Sequence, residues 1–526
     1  MFRTTRRWAA CRPGPSRQPH RGRRNSVLFN SYAFLLGFFP VTFFVFFLLG
    51  RRNRESAAMW LALASLFFYG YWSISALPLL IASVCINYWF GLRVTPVATI
   101  PERVLRLRLI AAVALNLGVL GYFKYANFFI DNLNFILHAA SAAEIRALNV
   151  VLPIGISFFT FTQIAFLVDC YEGKVRERNF THYLLFVSYF PHLISGPVLH
   201  HSQMMPQFRH AETYRLQANN LLTGLFNVAV GMTKKVLLAD EFSQYASPIF
   251  NAARDGHEFG CLAAWTGVLA YTLQIYFDFS GYSDMAIGLS RMLGINLPLN
   301  FNAPYKSTSI IEFWRRWHIT LSNFLRDYLY FRLGGNRRGA ARRYANLMLT
   351  MLLGGLWHGA NWTFVVWGGL HGSYLLINHG WRAVTPALPS YGKTVAILGK
   401  AAGAAITFLC VVIAWVFFRA TTFSSAARVL QAMAHPESMH CAPDCFADIY
   451  RGISIPQTSL GYLCAFFTCG FALVWLFPTS QASTLRMRNA QGGAAWFFSG
   501  ALLFCIVLLA IISSSHHTSE FIYFNF

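Results

Sequence analysis

Two histidines in the middle of the chain have the residue type that general-base chemistry requires. His318 lies in the Trp/Arg-dense run FWRRWHITLSNFLRDYLYFRLGGNRRG, and His358 lies 40 positions later in the apolar run MLTMLLGGLWHGANW. A charged side chain at membrane depth costs about 2.5–3.5 kcal/mol on insertion scales, and even a neutral histidine needs a polar partner or a water-lined cavity. His358 is therefore a candidate catalytic residue. The alternative is a histidine that is hydrogen-bonded inside a helix bundle.

The composition indicates that membrane helices hold these histidines. The 526 residues are 56% hydrophobic and 12% charged, with a mean hydropathy of +0.43, whereas soluble domains carry about 25% charged residues. The net charge of +23 would suit nucleic acid, but the arginines cluster between apolar runs, as the positive-inside rule expects of cytoplasmic loops. We therefore predict an all-α polytopic membrane protein that does not bind nucleic acid.

Apolar stretches suited to spanning a bilayer, which takes about 20 residues, occur along most of the chain. We predict spans near 28–50, 57–74, 76–92, 108–130, 149–169, 181–199, 218–238, 261–290, 345–357, 360–378, 403–419, 459–477 and 495–513. Several are short or are interrupted by Gly and Pro, which favours re-entrant segments over full crossings at those places.

Residues 1–26 differ from the rest of the chain. They contain eight arginines, three prolines and no acidic residue, and such a segment cannot bury enough apolar surface to order itself. A signal peptide is disfavoured because no small-residue cleavage site follows the next apolar run. We expect either a disordered basic tail or an extension from a misplaced start, with Val27 as the first native residue. Residues 27–526 are predicted to form one integral membrane domain.

Polar and helix-breaking residues interrupt two of the apolar runs. The run from Pro153 to Gln163 contains Gly, Ser and Thr, and small residues of this kind favour ordinary helix packing in a membrane. The run from Pro191 to Pro197 holds two prolines and a histidine within seven residues. Because broken helices at membrane depth are tolerated only against protein or a water-filled cavity, the second run predicts a re-entrant element.

Two carboxylates, Asp278 and Asp284, lie in the otherwise apolar run YTLQIYFDFSGYSDMAIG. At 3.6 residues per turn, this spacing puts them on opposing faces of an ideal helix, so they do not form an acid/base pair unless Gly281 breaks the helix. We expect them to fix neighbouring helices or to bind a basic group. Asp278 is for that reason a candidate substrate- or donor-binding residue.

A basic stretch follows, with eight arginines and one acidic residue between Arg315 and Arg343. Its Trp/Tyr/Arg-rich composition is typical of a helix at the membrane interface, and Gly334–Asn336 predicts a turn. The basic surface fits anchoring to lipid headgroups. It also fits an anionic acyl donor such as a coenzyme A thioester, whose phosphates accept arginine hydrogen bonds. The sequence has no glycine-rich phosphate loop, which argues against nucleotide hydrolysis and NAD chemistry.

The remaining signals concern glycine, metal ligands and cysteine. Glycines on both sides of the Trp357–His358 pair predict close backbone approach and room beside the imidazole. His371 lacks the short helical spacing of a zinc pair with His358, and we predict no metal site. Cys441 and Cys445 lie in a polar loop predicted over 421–457, where they would bridge only in an oxidising compartment. The cysteines expected to be small core residues are Cys85, Cys261, Cys410, Cys464, Cys469 and Cys505.

Taken together, these motifs resemble the membrane-bound O-acyltransferase (MBOAT) family, in its bacterial alginate O-acetyltransferase-like branch. The resemblance runs from Val27 to Phe526 and is carried by PIGISFFTFTQIAFLVD, YFPHLISGPV, QIYFDFSGYSDMAIG, the His318 and His358 segments, WVFFRA and FIYFNF. It implies a ring of transmembrane helices around a thin centre, where a funnel or tunnel brings donor and acceptor to an essential histidine. It makes 313–372 the catalytic core segment and His358 that histidine.

The resemblance also implies a function. We expect an O-acyltransferase of the bacterial inner membrane, and more specifically an O-acetyltransferase. It would use acetyl-CoA as a substrate and hold no tightly bound cofactor. The acceptor would be an exported polysaccharide such as alginate, reached directly or through a periplasmic SGNH-type partner. A hydroxyl needs a base to take its proton, and burial keeps a histidine neutral for that task. We expect His358 to be the base and His318 to position a substrate or shape the tunnel. The candidate binding residues are Trp314, Arg315, Arg316, Trp317 and Asn361.

Two departures from the family pattern leave the acceptor open. Phe331–Arg332 stands where the family often has Ile–Pro, and His200–His201 replaces a commonly basic segment. The main alternative function is a transmembrane relay of acyl groups, with a partner that makes the final transfer. A plain transporter predicts internal repeats with matched broken helices, and the sequence contains no convincing repeat. A structural scaffold for polysaccharide export would have no use for two such histidines.

Overall fold

The computed structural model describes residues 29–194, 196–384, 393–435 and 460–487, together with 498, 501–509 and 511. Within these residues the regular secondary structure is helical, without strands. The longer helices are α1 (Ala33–Gly50), α2 (Arg54–Trp72), α3 (Leu77–Val94), α4 (Glu102–Ala139), α5 (Ile156–Tyr171), α6 (Phe180–Ser188), α7 (Phe190–Leu193), α8 (His201–Met204), α9 (Ala218–Asp255), α10 (Cys261–Met292), α11 (Ile310–Arg316), α12 (Ile319–Phe324), α13 (Gly339–His358), α14 (Trp362–Val384), α15 (Lys393–Arg419), α16 (Phe423–Ala434), α17 (Leu460–Trp475) and α18 (Ser480–Met487).

Short 3₁₀ and π segments connect or interrupt these helices. The 3₁₀ turns are Met205–Arg209, Ala211–Tyr214 and Pro304–Lys306. The π segments begin α1, lie inside α4 and α9, and follow α12; they are Ala33–Phe38, Gly121–Tyr125, Thr233–Ala239 and Leu325–Tyr330. Such π segments occur frequently at functional sites.

Five of the described helices are long and apolar enough to cross a membrane. They are α1, α3, α4, α9 and the Thr394–Arg419 part of α15, and they match predicted spans near 28–50, 76–92, 108–130, 218–238 and 403–419. The prediction of an all-α polytopic membrane protein is therefore confirmed.

The structure departs from the sequence at two other predicted elements. The span predicted near 181–199 is divided, because Tyr189 has an extended backbone (ψ 116°) between α6 and α7. The loop predicted over 421–457 is wrong at its start, where Thr422 caps α16 and its hydroxyl accepts the Ser425 N–H at 3.1 Å. Residues 436–457, with Cys441 and Cys445, lie outside the described residues, as do residues 1–26 and the terminal FIYFNF segment.

Helix α10 lies at the centre of the fold and is buried along almost its whole length. It packs closely against α9 through glycines that are seven residues apart on each helix. A Cβ on Gly231 would lie 2.5 Å from the carbonyl oxygen of Gly281, and one on Gly224 would lie 2.7 Å from that of Gly288. Small residues allow helix backbones to approach closely in a membrane. The helix continues through Gly281, so the two carboxylates it carries do point in different directions.

Those carboxylates pair with lysines of α9. Lys234 Nζ lies 2.6 Å from Asp284 Oδ2, and Lys235 Nζ lies 2.9 Å from Asp278 Oδ1 and 2.8 Å from Asp240 Oδ1. A buried charge is retained when an opposite charge and hydrogen bonds compensate it. The expectation that the carboxylates fix neighbouring helices is met by these contacts.

The cysteines show how a membrane protein distributes its apolar residues. Of the six that we expected in the core, Cys261 is buried and Cys410 is half-buried, whereas the other four are exposed on the described surface. The core prediction is wrong for those four. Lipid tails are as apolar as the protein interior, so hydrophobicity alone does not distinguish a lipid-facing residue from a core residue.

Candidate active site

His358 is the last residue of α13, and its position depends on how that helix ends. Gly359 has an extended backbone (φ −165°, ψ 148°), which stops the helix directly after the histidine. Asn361 then starts α14, since its Oδ1 accepts the Thr363 N–H at 2.9 Å. Its Nδ2 donates to the Thr421 carbonyl at 2.9 Å. The structure thus gives Asn361 a capping role, and its expected role in substrate binding stays a prediction.

Glycines hold α13 and α14 together on either side of His358. A Cβ on Gly355 would lie 2.2 Å from the Phe364 carbonyl oxygen, and one on Gly368 would lie 2.3 Å from that of Met351. The close approach predicted from the glycines is present. The room predicted beside the imidazole is not, because the Phe364 ring occupies the space at Gly359, 2.2 Å from where a Cβ would lie.

Aromatic rings enclose the His358 imidazole, which is only 3% exposed. The ring centroids of Trp357, Trp367 and Phe418 lie 5.0, 5.1 and 5.1 Å away. Such an apolar enclosure disfavours a charged ring in the resting site.

Two side chains of α4 hold the end of α13 in place. The last four carbonyls of a helix lack partners within it, and Tyr125 donates from its hydroxyl to the Leu356 carbonyl at 2.9 Å. Lys124 Nζ donates to the Trp357 carbonyl at 2.5 Å and to Ser157 Oγ at 3.1 Å. These hydrogen bonds satisfy carbonyl oxygens that have no partner within the helix. Lys124 was not among the predicted site residues, although a lysine inside the apolar run GYFKYANFFI is itself a signal of function.

His318 lies in a break between α11 and α12 and has a left-handed backbone, with φ +41°. Such a conformation is uncommon for residues other than glycine and clusters at functional sites. The side chain is buried, with 1% exposure, because the break turns it inward. The prediction of an amphipathic interfacial helix is therefore wrong at Trp317 and His318, which both belong to the interior.

An amide fixes the orientation of the His318 ring. Nδ1 lies 3.1 Å from Asn300 Oδ1, which also accepts the Thr320 hydroxyl at 2.9 Å. Since a carbonyl oxygen only accepts hydrogen bonds, Nδ1 carries the proton, and Nε2 is the basic nitrogen of the neutral ring. His318 lies between the predicted spans, and burial lowers its pKa to about 3. The ring is neutral at physiological pH.

The structure brings the two predicted histidines to the same tryptophan. The Trp357 ring centroid lies 6.5 Å from that of His318 and 5.0 Å from that of His358.

A third histidine, His371, is fully buried. Its ring centroid lies 4.8 Å from that of Trp367. Within the described residues neither of its ring nitrogens has a hydrogen-bond partner. Sequence reasoning considered His371 only as a zinc ligand.

The other predicted binding residues fall into different settings. Trp314 packs on His371, and Trp317 on Trp415, with centroids 5.2 and 5.0 Å apart. Arg316 donates from Nε to Glu312 Oε1 at 3.0 Å, whereas Arg315 is exposed. Asp278 is in the ion pair described above. Of this set, Arg315 is the residue best placed to meet a ligand in solution, and the binding roles of the others stay predictions.

A separate group of side chains could hold a metal ion. Asp169 at the end of α5 and the consecutive histidines His200 and His201 place their ligand atoms within 4.8 Å of one another. The sequence prediction of no metal site considered only His358 and His371. The two neighbouring histidines were noted as a departure from the family pattern, but nothing in the sequence pointed to Asp169 as their neighbour.

Comparison with known proteins gives a consistent family. The family model for MBOAT, the membrane-bound O-acyltransferase family, matches residues 167–418. The peptidoglycan O-acetyltransferase of Helicobacter pylori is 39% identical over 95% of this chain and 98% of its own length. The probable alginate O-acetylase AlgI of Pseudomonas putida is 39% identical over 95% and 100%. The teichoic acid D-alanyltransferase of Bacillus subtilis is 30% identical over 42% and 58%. The family match covers His318, His358 and His371, and it ends at Phe418 of the aromatic enclosure.

Proposed function

Since this chain belongs to the membrane-bound O-acyltransferase family, we propose that it moves an acetyl group from a cytoplasmic thioester toward hydroxyls of an exported polysaccharide such as alginate. We place it in the bacterial inner membrane. Its relatives are named for the O-acetylation of alginate or peptidoglycan and for the D-alanylation of teichoic acid. The observation that carries the proposal is the imidazole of His358, held at a helix end inside an aromatic enclosure whose Trp357 also contacts the buried His318.

The proposed reaction uses His358 as a general base. A ring nitrogen takes the proton of the acceptor hydroxyl, and the oxygen attacks the thioester carbonyl carbon. The new carbon–oxygen bond forms as the carbon–sulfur bond breaks, and the imidazolium returns its proton to the leaving thiolate. His318, with its orientation fixed by Asn300, positions a substrate near Trp357. In this proposal, movement of the rings that enclose His358 would admit the substrates.

The donor and the partner belong to the same proposal. Acetyl-CoA would arrive as a substrate, with its phosphates on the arginine-rich surface that includes the exposed Arg315. The acetyl group then reaches the polymer either directly or through a periplasmic SGNH-type acetyltransferase. In the relay alternative, this protein passes the acetyl group across the membrane and the partner alone modifies the polymer.

Substitution of His358 tests the proposal. We expect His358→Ala to lower acetylation of polymer by at least about 100-fold, the usual contribution of a general base. Membranes with matched protein levels would be supplied with labelled acetyl-CoA and with alginate or peptidoglycan fragments in separate reactions. His257→Ala, at an exposed histidine, is the matched control and should keep full activity.

The same assay separates direct transfer from relay. Labelled polymer in the absence of any periplasmic partner supports direct transfer, whereas label that appears only when the partner is added supports the relay. Full acetylation by His358→Ala, with or without the partner, would rule out His358 as the base.

A further inference from the structure

We propose that Asp169, His200 and His201 bind a divalent transition-metal ion of the zinc class, between the end of α5 and the start of α8. Asp169 lies 31 positions before His200, and the fold brings the three side chains together beside Tyr328. Two imidazoles and one carboxylate are a donor set that suits zinc, with a further position left for water. This inference is independent of the proposed acyl transfer.

The distances between the ligand atoms are close to those of a metal site. Asp169 Oδ2 lies 2.8 Å from His200 Nε2 and 3.1 Å from His201 Nδ1. In a tetrahedral zinc site with bonds of about 2.0–2.2 Å, neighbouring ligand atoms are about 3.3–3.5 Å apart. Entry of the ion would therefore lengthen the two distances between the carboxylate oxygen and the imidazole nitrogens by about 0.2–0.7 Å.

His201 supplies an independent indication of a ligand. Its side chain is 95% removed from solvent, at 5% exposure. Its Nδ1 faces Asp169 but has no hydrogen-bond partner within the described part of the chain. A buried polar atom without a hydrogen-bond partner is unfavourable because it has lost its bonds to water. Coordination of a cation by Nδ1 would remove that cost.

The surrounding contacts orient the other two ligands. His200 Nδ1 lies 2.6 Å from Ser202 Oγ and accepts the Ser202 N–H at 3.3 Å, so that Nε2 is the nitrogen turned toward Asp169. In a metal-bound form the proton would move to Nδ1, where it would be donated to Ser202 Oγ, and Nε2 would be free to bind the ion. Tyr328 donates its hydroxyl to Asp169 Oδ2 at 2.6 Å. Hydrogen bonds of this kind to ligand side chains are a regular part of metal sites. The His200 side chain is 33% exposed, which gives the ion a path of entry.

The alternative is an ion-free cluster in which His200 Nε2–H and the Tyr328 hydroxyl donate to Asp169. That arrangement accounts for His200 but leaves His201 Nδ1 unsatisfied. Lys174 is the other cation near the carboxylate, yet its Nζ lies 4.0 Å from Asp169 Oδ1 and 2.7 Å from Glu172 Oε2. Its charge is therefore directed mainly to Glu172, and Asp169 is left for a different cation.

A bound ion would also steady the active-site side of the fold. The Val198 N–H donates to Thr320 Oγ1 at 2.9 Å, and Thr320 shares Asn300 with His318. His200 follows Val198 by two positions, so an ion bound to His200 and His201 would fix the segment that makes this contact with Thr320. We infer a structural role for the metal, through the segment that supports His318.

Metal analysis of the full chain tests this inference directly. The protein would be purified in detergent with an affinity tag that contains no histidines, and its metal content measured by plasma mass spectrometry. We expect about one zinc-class ion per chain, a lower unfolding temperature after chelation, and recovery when Zn²⁺ is added back. Asp169→Asn keeps the size of the side chain and should lower the metal content about tenfold or more.

Two further variants keep the test decisive. His200→Gln changes a partly exposed ring, so the protein should still fold while it loses the metal and the stabilisation by Zn²⁺. His210→Gln, at an exposed histidine of the same connection, should retain both. A wild-type chain that binds no ion and is not stabilised by added Zn²⁺ would overturn the inference. Equal metal content in Asp169→Asn and the wild type would do the same, whatever the result of the acetylation assay.

Discussion

The orientation of the His318 ring depends on a single amide side chain, that of Asn300. Removal of this amide in Asn300→Ala leaves the ring Nδ1 and the Thr320 hydroxyl without their common acceptor. A buried polar group that loses its partner costs about 1–3 kcal/mol. We expect a stability loss of that size and a lower rate of acyl transfer per folded molecule. Thermal unfolding in detergent and labelled acetyl transfer measure the two effects.

The neighbouring Asn302 provides the control for that prediction. Its side chain is exposed, and the structure uses its backbone groups to bond Arg316. Asn302→Ala should therefore match the wild type in both measurements. If the Asn300→Ala variant transferred acetyl groups at the wild-type rate, the role of His318 would not depend on this amide.

At the residue scale, the sequence identifies chemistry but not the contacts that orient it. His318 and His358 were selected by residue type and by their settings, and the fold brings both to Trp357. The side chains that hold them were not found, because the contact between Lys124 and Trp357 joins residues 233 positions apart. No local pattern encodes such a distance.

At the scale of helices, the packing of α9 on α10 rests on glycines. A Cβ at Gly231 would lie 2.5 Å from the carbonyl oxygen of Gly281, which belongs to backbone and cannot rotate away. Overpacking of this kind costs about 1–3 kcal/mol. We expect Gly231→Ala to lower the unfolding temperature in detergent and to reduce the yield of folded protein in the membrane.

Gly118→Ala gives the opposite expectation at a helical glycine in α4. A Cβ there would meet nothing within 4 Å among the described residues, and alanine is favoured over glycine in a helix by about 1 kcal/mol. This variant should be neutral or more stable. If Gly118→Ala and Gly231→Ala destabilised the protein equally, the loss of stability would come from the replacement of glycine itself and not from the contact between α9 and α10.

The helices themselves were largely predictable, and their interruptions were not. Apolar length predicted the five helices that can cross a membrane. The break at Tyr189 and the left-handed backbone of His318 arise from tertiary contacts that override local preference. Helix α16 was missed because its window is too polar and short for a span, although Thr422 and Ser425 form a recognisable capping box.

At the scale of the whole molecule, buried ion pairs join parts of the chain that are far apart in sequence. Lys234 on α9 pairs with Asp284 on α10, and Ser480 at the start of α18 donates to the same carboxylate at 2.7 Å. The role of Asp284 in fixing helices was predicted from its place in an apolar run. Its partners were not, since 50 positions separate it from the lysine and 196 from the serine.

A double-mutant cycle on Lys234 and Asp284 tests whether this pair holds the centre of the fold together. Lys234→Met leaves the carboxylate buried without its cation, which costs about 3–5 kcal/mol. Asp284→Asn leaves the ammonium group in the same position. Because the double variant contains neither charge, it should be destabilised by less than the sum of the single variants, with a coupling of about 0.5–3 kcal/mol.

Unfolding in detergent measures the stability of the wild type and of the three variants. Lys400→Met, at an exposed lysine, controls for the loss of a positive charge. Strictly additive effects would mean that the two charges stabilise the fold separately, through contacts other than the one between them.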